Sequence, residues 1–166
     1  MDKKITICLI FVFGWTISNA QKTYDEKLSS LYKNTVPQIK SSALQSRIRD
    51  GQHPVILDTR SPEEYSVSHL PNAKFIDYDD FDDEMVRGLD KNKEVIVYCT
   101  VGYRSERIGE KLQKLGFTNV KNLYGGIFEW VNEGGEILNI KNQQTDSVHT
   151  YSKSWSVWLK KGIKVY

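Results

Sequence analysis

The stretch Val95-Ile96-Val97-Tyr98-Cys99-Thr100-Val101-Gly102-Tyr103-Arg104-Ser105 constrains this chain more than any other, because a change of period, a tight loop and a single thiol coincide in it. Val95 to Tyr98 is a short β-branched and aromatic run behind the Lys91-Asn92-Lys93 turn, the composition of a strand buried on both faces. From Ser105 the apolar residues Ile108, Leu112 and Leu115 fall at helical spacing, and Gly116 stands where a helix ends. Cys99 is therefore expected at the carboxyl end of a strand, just before a helix. In open α/β sheets that edge is where ligands bind.

This position favours negative charge on sulfur. Unpaired N–H groups at the helix start, the positive end of its dipole and the Arg104 guanidinium all act in that direction. Gly102 lets the loop curl without a Cβ penalty, so that several N–H groups converge on one anion. The other reading of a lone cysteine is a small buried hydrophobe; its place in a strand-loop-helix switch argues against that here.

The remaining elements are expected to support the loop. Val36-Pro37-Gln38-Ile39 reads as an edge strand, since proline is tolerated there. Ser42 and Gln45 have capping-box spacing before a helix that carries Leu44 and Ile48. Val55 to Asp58 is the second strong strand, and Ser61-Pro62-Glu63-Glu64 combines an N-cap, a first-turn proline and a glutamate three residues on. Lys74-Phe75-Ile76 is a further strand, followed by six acids among residues 77 to 84, a solvated face leading into a short helix with Met85 and Val86. Val120 to Leu123 is the last core strand, and Ile127, Trp130 and Val131 face inward on a helix that Gly134-Gly135 closes. Short strands alternating with helices predict an α/β fold: a central parallel sheet of about five strands with helices on both faces.

Four ordered segments resemble a known family, the single-domain rhodaneses, which are sulfurtransferases. Cys99-Thr100-Val101-Gly102-Tyr103-Arg104 matches their Cys-x-x-Gly-x-Arg active loop, and Asp58-Thr59-Arg60 their Asp-x-Arg segment. His69-Leu70-Pro71-Asn72-Ala73 is similar to the family's His-Ile-Pro-Gly-Ala turn, and Gly125-Gly126 with Trp130 to its closing segment. The sequence departs from the pattern at Asn72 and Ser68, where glycine is usual. The resemblance implies Cys99 as catalytic nucleophile, with Thr100, Val101, Gly102, Tyr103, Arg104 and Ser105 as the substrate-binding loop. Asp58 and Arg60 would support the pocket, either by contacting substrate or as a structural ion pair.

The same resemblance implies a double displacement. Cys99 takes the outer sulfur of a donor such as thiosulfate as a persulfide and passes it to a thiol or cyanide. Arg104, and with it Arg60, would attract the small anionic donor. The loop has six residues from Cys99 to Arg104, whereas related phosphatases and arsenate reductases use a longer one suited to a tetrahedral oxyanion. Two alternatives stand beside this reading: a non-enzymatic sulfane-sulfur or redox carrier loaded by a partner protein, and a phosphatase or arsenate reductase.

The first segment reads as a leader. Lys3-Lys4 precede an apolar stretch from Ile5 to Ile17, and Ser18-Asn19-Ala20 has the small-residue pattern of a cleavage site. Its apolar run is shorter than the roughly 20 residues that span a bilayer. The expected organisation is a signal peptide at 1–20, cut after Ala20; an arm at 21–35 with no legible chemistry; a rhodanese-like domain at 36–138; and an extension at 139–166 packing on it. The extension, rich in tryptophan and lysine, reads either as a fold-back segment or as a partner or substrate-gating surface. The mature chain would be periplasmic or secreted, without a stable membrane anchor. Cleavage would remove Cys8 and leave Cys99 as the only cysteine. The nearly balanced charge, +2 for the whole chain, gives no footprint for nucleic acid. No cofactor is expected, nor a metal: His53, His69 and His149 form no pair with ligand spacing. The expected partners are a sulfur donor, a thiol acceptor and a protein that accepts sulfur.

Overall fold

The computed structural model describes residues 23–166, so the signal-peptide reading of residues 1–20 lies outside the described residues. The chain divides into two units, residues 1–31 and residues 32–166. The described part of the first is a helix, α1, over residues 23–29, closed by the Ser30 hydroxyl on the Lys27 carbonyl at 2.7 Å. Residues 32–35, read from sequence with the arm, fall in the second unit.

That second unit runs β1 (Gln38–Ile39), α2 (Ser41–Arg49), β2 (Val55–Asp58), α3 (Pro62–Val67) and β3 (Lys74–Phe75). A 3-10 turn (Asp83–Val86) leads to β4 (Val95–Tyr98), α4 (Tyr103–Lys114), β5 (Val120–Leu123) and α5 (Gly126–Asn132). Five strands form one parallel sheet in the order β1-β5-β4-β2-β3, with β4 at its centre. The central strand is buried at all four residues, which explains its continuous apolar composition.

Period two sorts the sheet's side chains between the layers. Leu57, Val95, Val97 and Val120 form one core with Ile108 and Leu112 of α4, completed by Val36, Ile76, Val86 and Phe117. Ile108 and Leu112 are fully buried, and truncating either to alanine is expected to cost ~2–5 kcal/mol. Ile56, on the opposite face, lines a cleft of about 600 Å³ with Ile48 of α2 and Trp130 of α5. Helices therefore cover both faces. The cleft lies at the amino end of β2, where Pro54 enters it, and no residue of 99–105 lines it.

Local signals set most boundaries. Ser61 caps α3 as a full capping box: its hydroxyl accepts from Glu64 N at 3.3 Å, and the Glu64 carboxylate accepts from Ser61 N at 3.1 Å. The expected box at Ser42 and Gln45 does not form. Helix α2 starts at Ser41 behind Lys40, with no side-chain cap, because burial of Ser41 and Leu44 fixes the start. The expected helix at Met85 and Val86 is the 3-10 turn, and β3 stops before Ile76. Asn72 sits at φ +60°, a left-handed turn that asparagine tolerates better than most residues, whereas Ser68 is extended and needs no glycine.

Residues 139–166 add a parallel pair, β6 (Ser147–His149) and β7 (Ile163–Val165), which the sequence reading did not foresee. The pair is tied to the domain at several points. β6 packs on α3, Leu138 bridges to Gln144, and Thr145 N donates to Ile137 O at 3.1 Å. Asn132, at the end of α5, donates to Trp158 O at 3.0 Å and accepts from Lys160 N at 2.7 Å. Among the described residues no helix is long and apolar enough to cross a membrane.

Candidate active site

Cys99 follows directly on β4, and the backbone at once turns to start α4 with Gly102 as its N-cap at φ +100°. A Cβ at Gly102 would strike the Tyr32 side chain, so glycine is required there by both conformation and space. The Gly102 N–H donates to Cys99 Sγ at 3.1 Å, and the thiol is buried. α5 grips the loop from behind: Ile127 N donates to Cys99 O at 2.9 Å and Phe128 N to Thr100 O at 3.2 Å. This close approach exists because Gly126 has no side chain; a Cβ there would collide with the Cys99 carbonyl.

The six residues expected to bind substrate with Cys99 do not share one role. Ser105 is fully buried and donates to Asn122 Oδ1 at 2.7 Å, while Asn122 Nδ2 donates to Gly102 O at 2.9 Å. Thr100 donates to Glu64 Oε1 at 2.6 Å. Both hydroxyls are thus engaged by protein, not turned toward an incoming anion. Val101 is nearly buried with its carbonyl bonded to the Tyr32 hydroxyl at 2.5 Å. Tyr103 is exposed and lies over Arg107, 5.0 Å from its ring.

Arg104 is the charged member. Its Nη1 donates to Glu64 Oε2 at 2.7 Å, and its Nη2 to Glu64 Oε1 at 2.8 Å and Thr100 Oγ1 at 2.9 Å. Burial works against the charged guanidinium, but Glu64 and the neighbouring Cys99 more than offset it and raise its pKa. Glu64 shows the converse balance. Burial pushes its carboxyl up, yet donors from Arg104 and Thr100 outweigh burial and hold it down at about 2. The bidentate pair fixes Arg104 beside the thiol and offsets much of its charge.

Asp58 and Arg60 form a second bidentate pair, with Nε to Oδ1 at 2.9 Å and Nη2 to Oδ2 at 2.6 Å. Both side chains are completely enclosed. Arg60 Nη2 also donates to Ser68 O at 2.5 Å, and Tyr98, the residue before Cys99, donates to Asp58 Oδ2 at 2.5 Å. Tyr98 in turn accepts from Leu70 N at 3.0 Å. Of the two roles read for Arg60, contact with an anionic donor or a structural ion pair, its surroundings fit the second. Arg60 has no exposed surface, and its visible work is to join the ends of β2 and β4 to the 68–70 turn.

Besides Asn122, sequence reasoning missed three supports. Tyr32 lies in a segment read as lacking chemistry; besides Val101 O, its hydroxyl accepts from Gly125 N at 3.0 Å. Burial raises its pKa, so it stays a neutral donor. Glu106, buried at the start of α4, accepts from Lys33 N at 2.9 Å and Thr35 N at 3.0 Å, stapling that segment beside the loop. Glu64 was legible only as a capping residue; nothing local announces its forty-residue reach to Arg104.

Comparison with known proteins agrees with this architecture. A profile for the Rhodanese-like domain matches residues 41–133. A tRNA uridine(34) hydroxylase of Cytophaga hutchinsonii is 38% identical over 94 residues, 54% of this chain and 30% of that protein. An adenylyltransferase and sulfurtransferase, UBA4, of Debaryomyces hansenii is 33% identical over 91 residues, 50% of this chain and 20% of that one. A putative sulfur carrier protein, YrkF, of Bacillus subtilis is 29% identical over 102 residues, 61% of this chain and 55% of that one. The match thus spans less than two thirds of each curated relative. Among solved structures, the BH2092 protein of Bacillus halodurans superimposes with a TM-score of 0.58 at 28% identity, covering 74% of this chain and 85% of that one. With the profile spanning more than half its length and the parallel sheet carrying Cys99 at its carboxyl edge, this chain belongs to the rhodanese-like domain family.

Proposed function

We propose that the protein is a sulfurtransferase that carries sulfane sulfur as a persulfide on Cys99. The observation that carries the reading is the compact loop in which the Gly102 N–H donates to Cys99 Sγ while Arg104 is clamped beside it. Such a cradle stabilises anionic charge on sulfur by dipoles already in place, so little reorganisation accompanies the reaction. The Cys99 thiolate attacks the outer sulfur of thiosulfate, the S–S bond to the sulfonate breaks, and sulfite leaves with the electron pair. A thiolate or cyanide acceptor then attacks the outer sulfur of the persulfide and restores the Cys99 thiolate. The leader-like residues 1–20 support an exported, periplasmic or secreted site of action after cleavage behind Ala20; amino-terminal sequencing of the protein from its own cell tests that.

A second reading is a sulfur carrier loaded by a partner protein. What favours it is the Glu64–Arg104 pair, which as a unit has little net charge to recruit a dianionic donor. The name of the Bacillus relative points the same way. Steady-state assay with thiosulfate and cyanide separates the two. Thiocyanate production that disappears in Cys99→Ser supports the enzyme, and absence of turnover in the native protein moves the account to the carrier. Hydrolysis of a phosphate ester with neither activity would refute both.

A further inference from the structure

The extension lies outside the matched segment 41–133, yet it meets the active loop at Tyr151, whose ring covers the guanidinium of Arg104 at 5.3 Å. Tyr151 holds a left-handed backbone at φ +62°, which a tyrosine rarely adopts. The conformation is imposed from both sides. Thr150 is fully buried, with its N and Oγ1 donating to Val165 O at 2.8 and 3.1 Å, and Ser152 N donates to Thr150 O at 2.6 Å. The Tyr151 N–H itself donates to His149 Nδ1 at 3.2 Å. The ring gains no core packing in return, since Tyr151 remains 59% exposed. A firmly anchored strand pair thus presents one aromatic ring at the loop.

What the ring borders gives it a use. Arg104 is the shared neighbour of Tyr151 and Cys99, with three of its hydrogen bonds going to Glu64 and Thr100 and one face covered by the ring. Tyr151 stays largely exposed on the side of Arg104 that the loop leaves uncovered, so its ring is available to a molecule that approaches the loop. Charge there is largely offset within the Glu64–Arg104 pair, so an aromatic surface offers recognition to a molecule with an organic body and none to a small inorganic nucleophile. We infer that Tyr151 is a specificity-determining residue: the C-terminal extension supplies the acceptor wall of the site and selects an organic thiol over small inorganic acceptors. This inference rests on the persulfide reading above.

The test loads Cys99 of the full protein with inorganic polysulfide, removes the excess, and follows discharge by intact mass. Two acceptors are used, the uncharged thiol N-acetylcysteine amide and cyanide. Tyr151→Gly removes the ring and accepts the left-handed backbone; Tyr151→Phe keeps the ring. The ratio of the thiol rate to the cyanide rate is expected to fall about threefold or more in Tyr151→Gly, the loss of one aromatic contact, and to hold in Tyr151→Phe. A smaller fall, a rise, or an equal fall in Tyr151→Phe would overturn the inference while leaving the persulfide reading intact. A native protein whose Cys99 takes up no sulfur would instead overturn that reading, and this inference with it.

Discussion

Two carboxylate–guanidinium pairs stand on the same rim of the sheet and differ in what they enclose. Asp58 and Arg60 are two residues apart in sequence, and neither side chain has any exposed surface. Glu64 and Arg104 are forty residues apart, and Arg104 keeps 16% of its side-chain surface. Both are bidentate and both raise the pKa of their arginine against the effect of burial. The first is bonded to the strand end and the 68–70 turn, the second to the threonine that follows the thiol. A salt bridge beside a site is thus identified by its remaining contacts. Proximity in sequence to a motif does not identify it.

Breaking the sealed pair should have the largest effect on stability. Arg60→Leu leaves the Asp58 carboxylate buried without its cation, and a loss of ~3–5 kcal/mol in denaturant unfolding is expected. The fraction that remains folded should still load Cys99, since Arg60 touches no loop residue beyond the strand end. A loss below ~1 kcal/mol would show that the pair is not the joint described here.

Breaking the second pair should separate stability from chemistry. Glu64→Gln is expected to cost ~1–3 kcal/mol and to slow sulfur loading about tenfold or more, because Arg104 loses its clamp. Loading that falls only in proportion to the folded fraction would place Glu64 with Asp58 as a structural residue. The pair also predicts a pH dependence. Glu64 titrates at about 2 in the folded protein against an ordinary 4.5, so the unfolded chain binds its proton first. Its contribution is fully present above about 4.5 and is lost as pH falls from there toward 2. Glu64→Gln should flatten that part of the acid stability curve, measured by chemical denaturation at successive pH values, and Arg60→Leu, which removes only a weaker attraction on Glu64, should leave most of it in place.

Tyr32→Phe should have a smaller effect. It leaves the Val101 carbonyl and the Gly125 N–H without their shared partner, at ~1–2 kcal/mol. Loading should slow less than in Glu64→Gln, because the clamp on Arg104 remains. An unchanged unfolding midpoint would mean that the hydroxyl only fills space.

The contrast between the pairs also marks how far the sequence could be read. The frame was legible because its causes are local: Val95 to Tyr98 is apolar at every position, and the Ser61–Glu64 box closes over three residues. The loop was legible through its cysteine, glycine and arginine spacing. Tyr32, Asn122 and Tyr151 were not, because each reaches the loop from another part of the chain and a lone tyrosine or asparagine carries no period or cap signal. The box read at Ser42 and Gln45 failed for a related reason: burial of Leu44 chose where α2 begins. Arg60 could be read either as a substrate contact or as a structural ion pair, because spacing places a side chain near a rim without showing which way the rim is sealed.

The central claim is that Cys99 carries sulfur, and intact mass tests it most directly. The protein is incubated with thiosulfate, weighed, treated with cyanide and weighed again, beside Cys99→Ser. The account predicts a gain of one sulfur atom in the native protein alone, removed by cyanide. A gain that survives Cys99→Ser, or a gain in neither protein with thiosulfate or polysulfide, would contradict it.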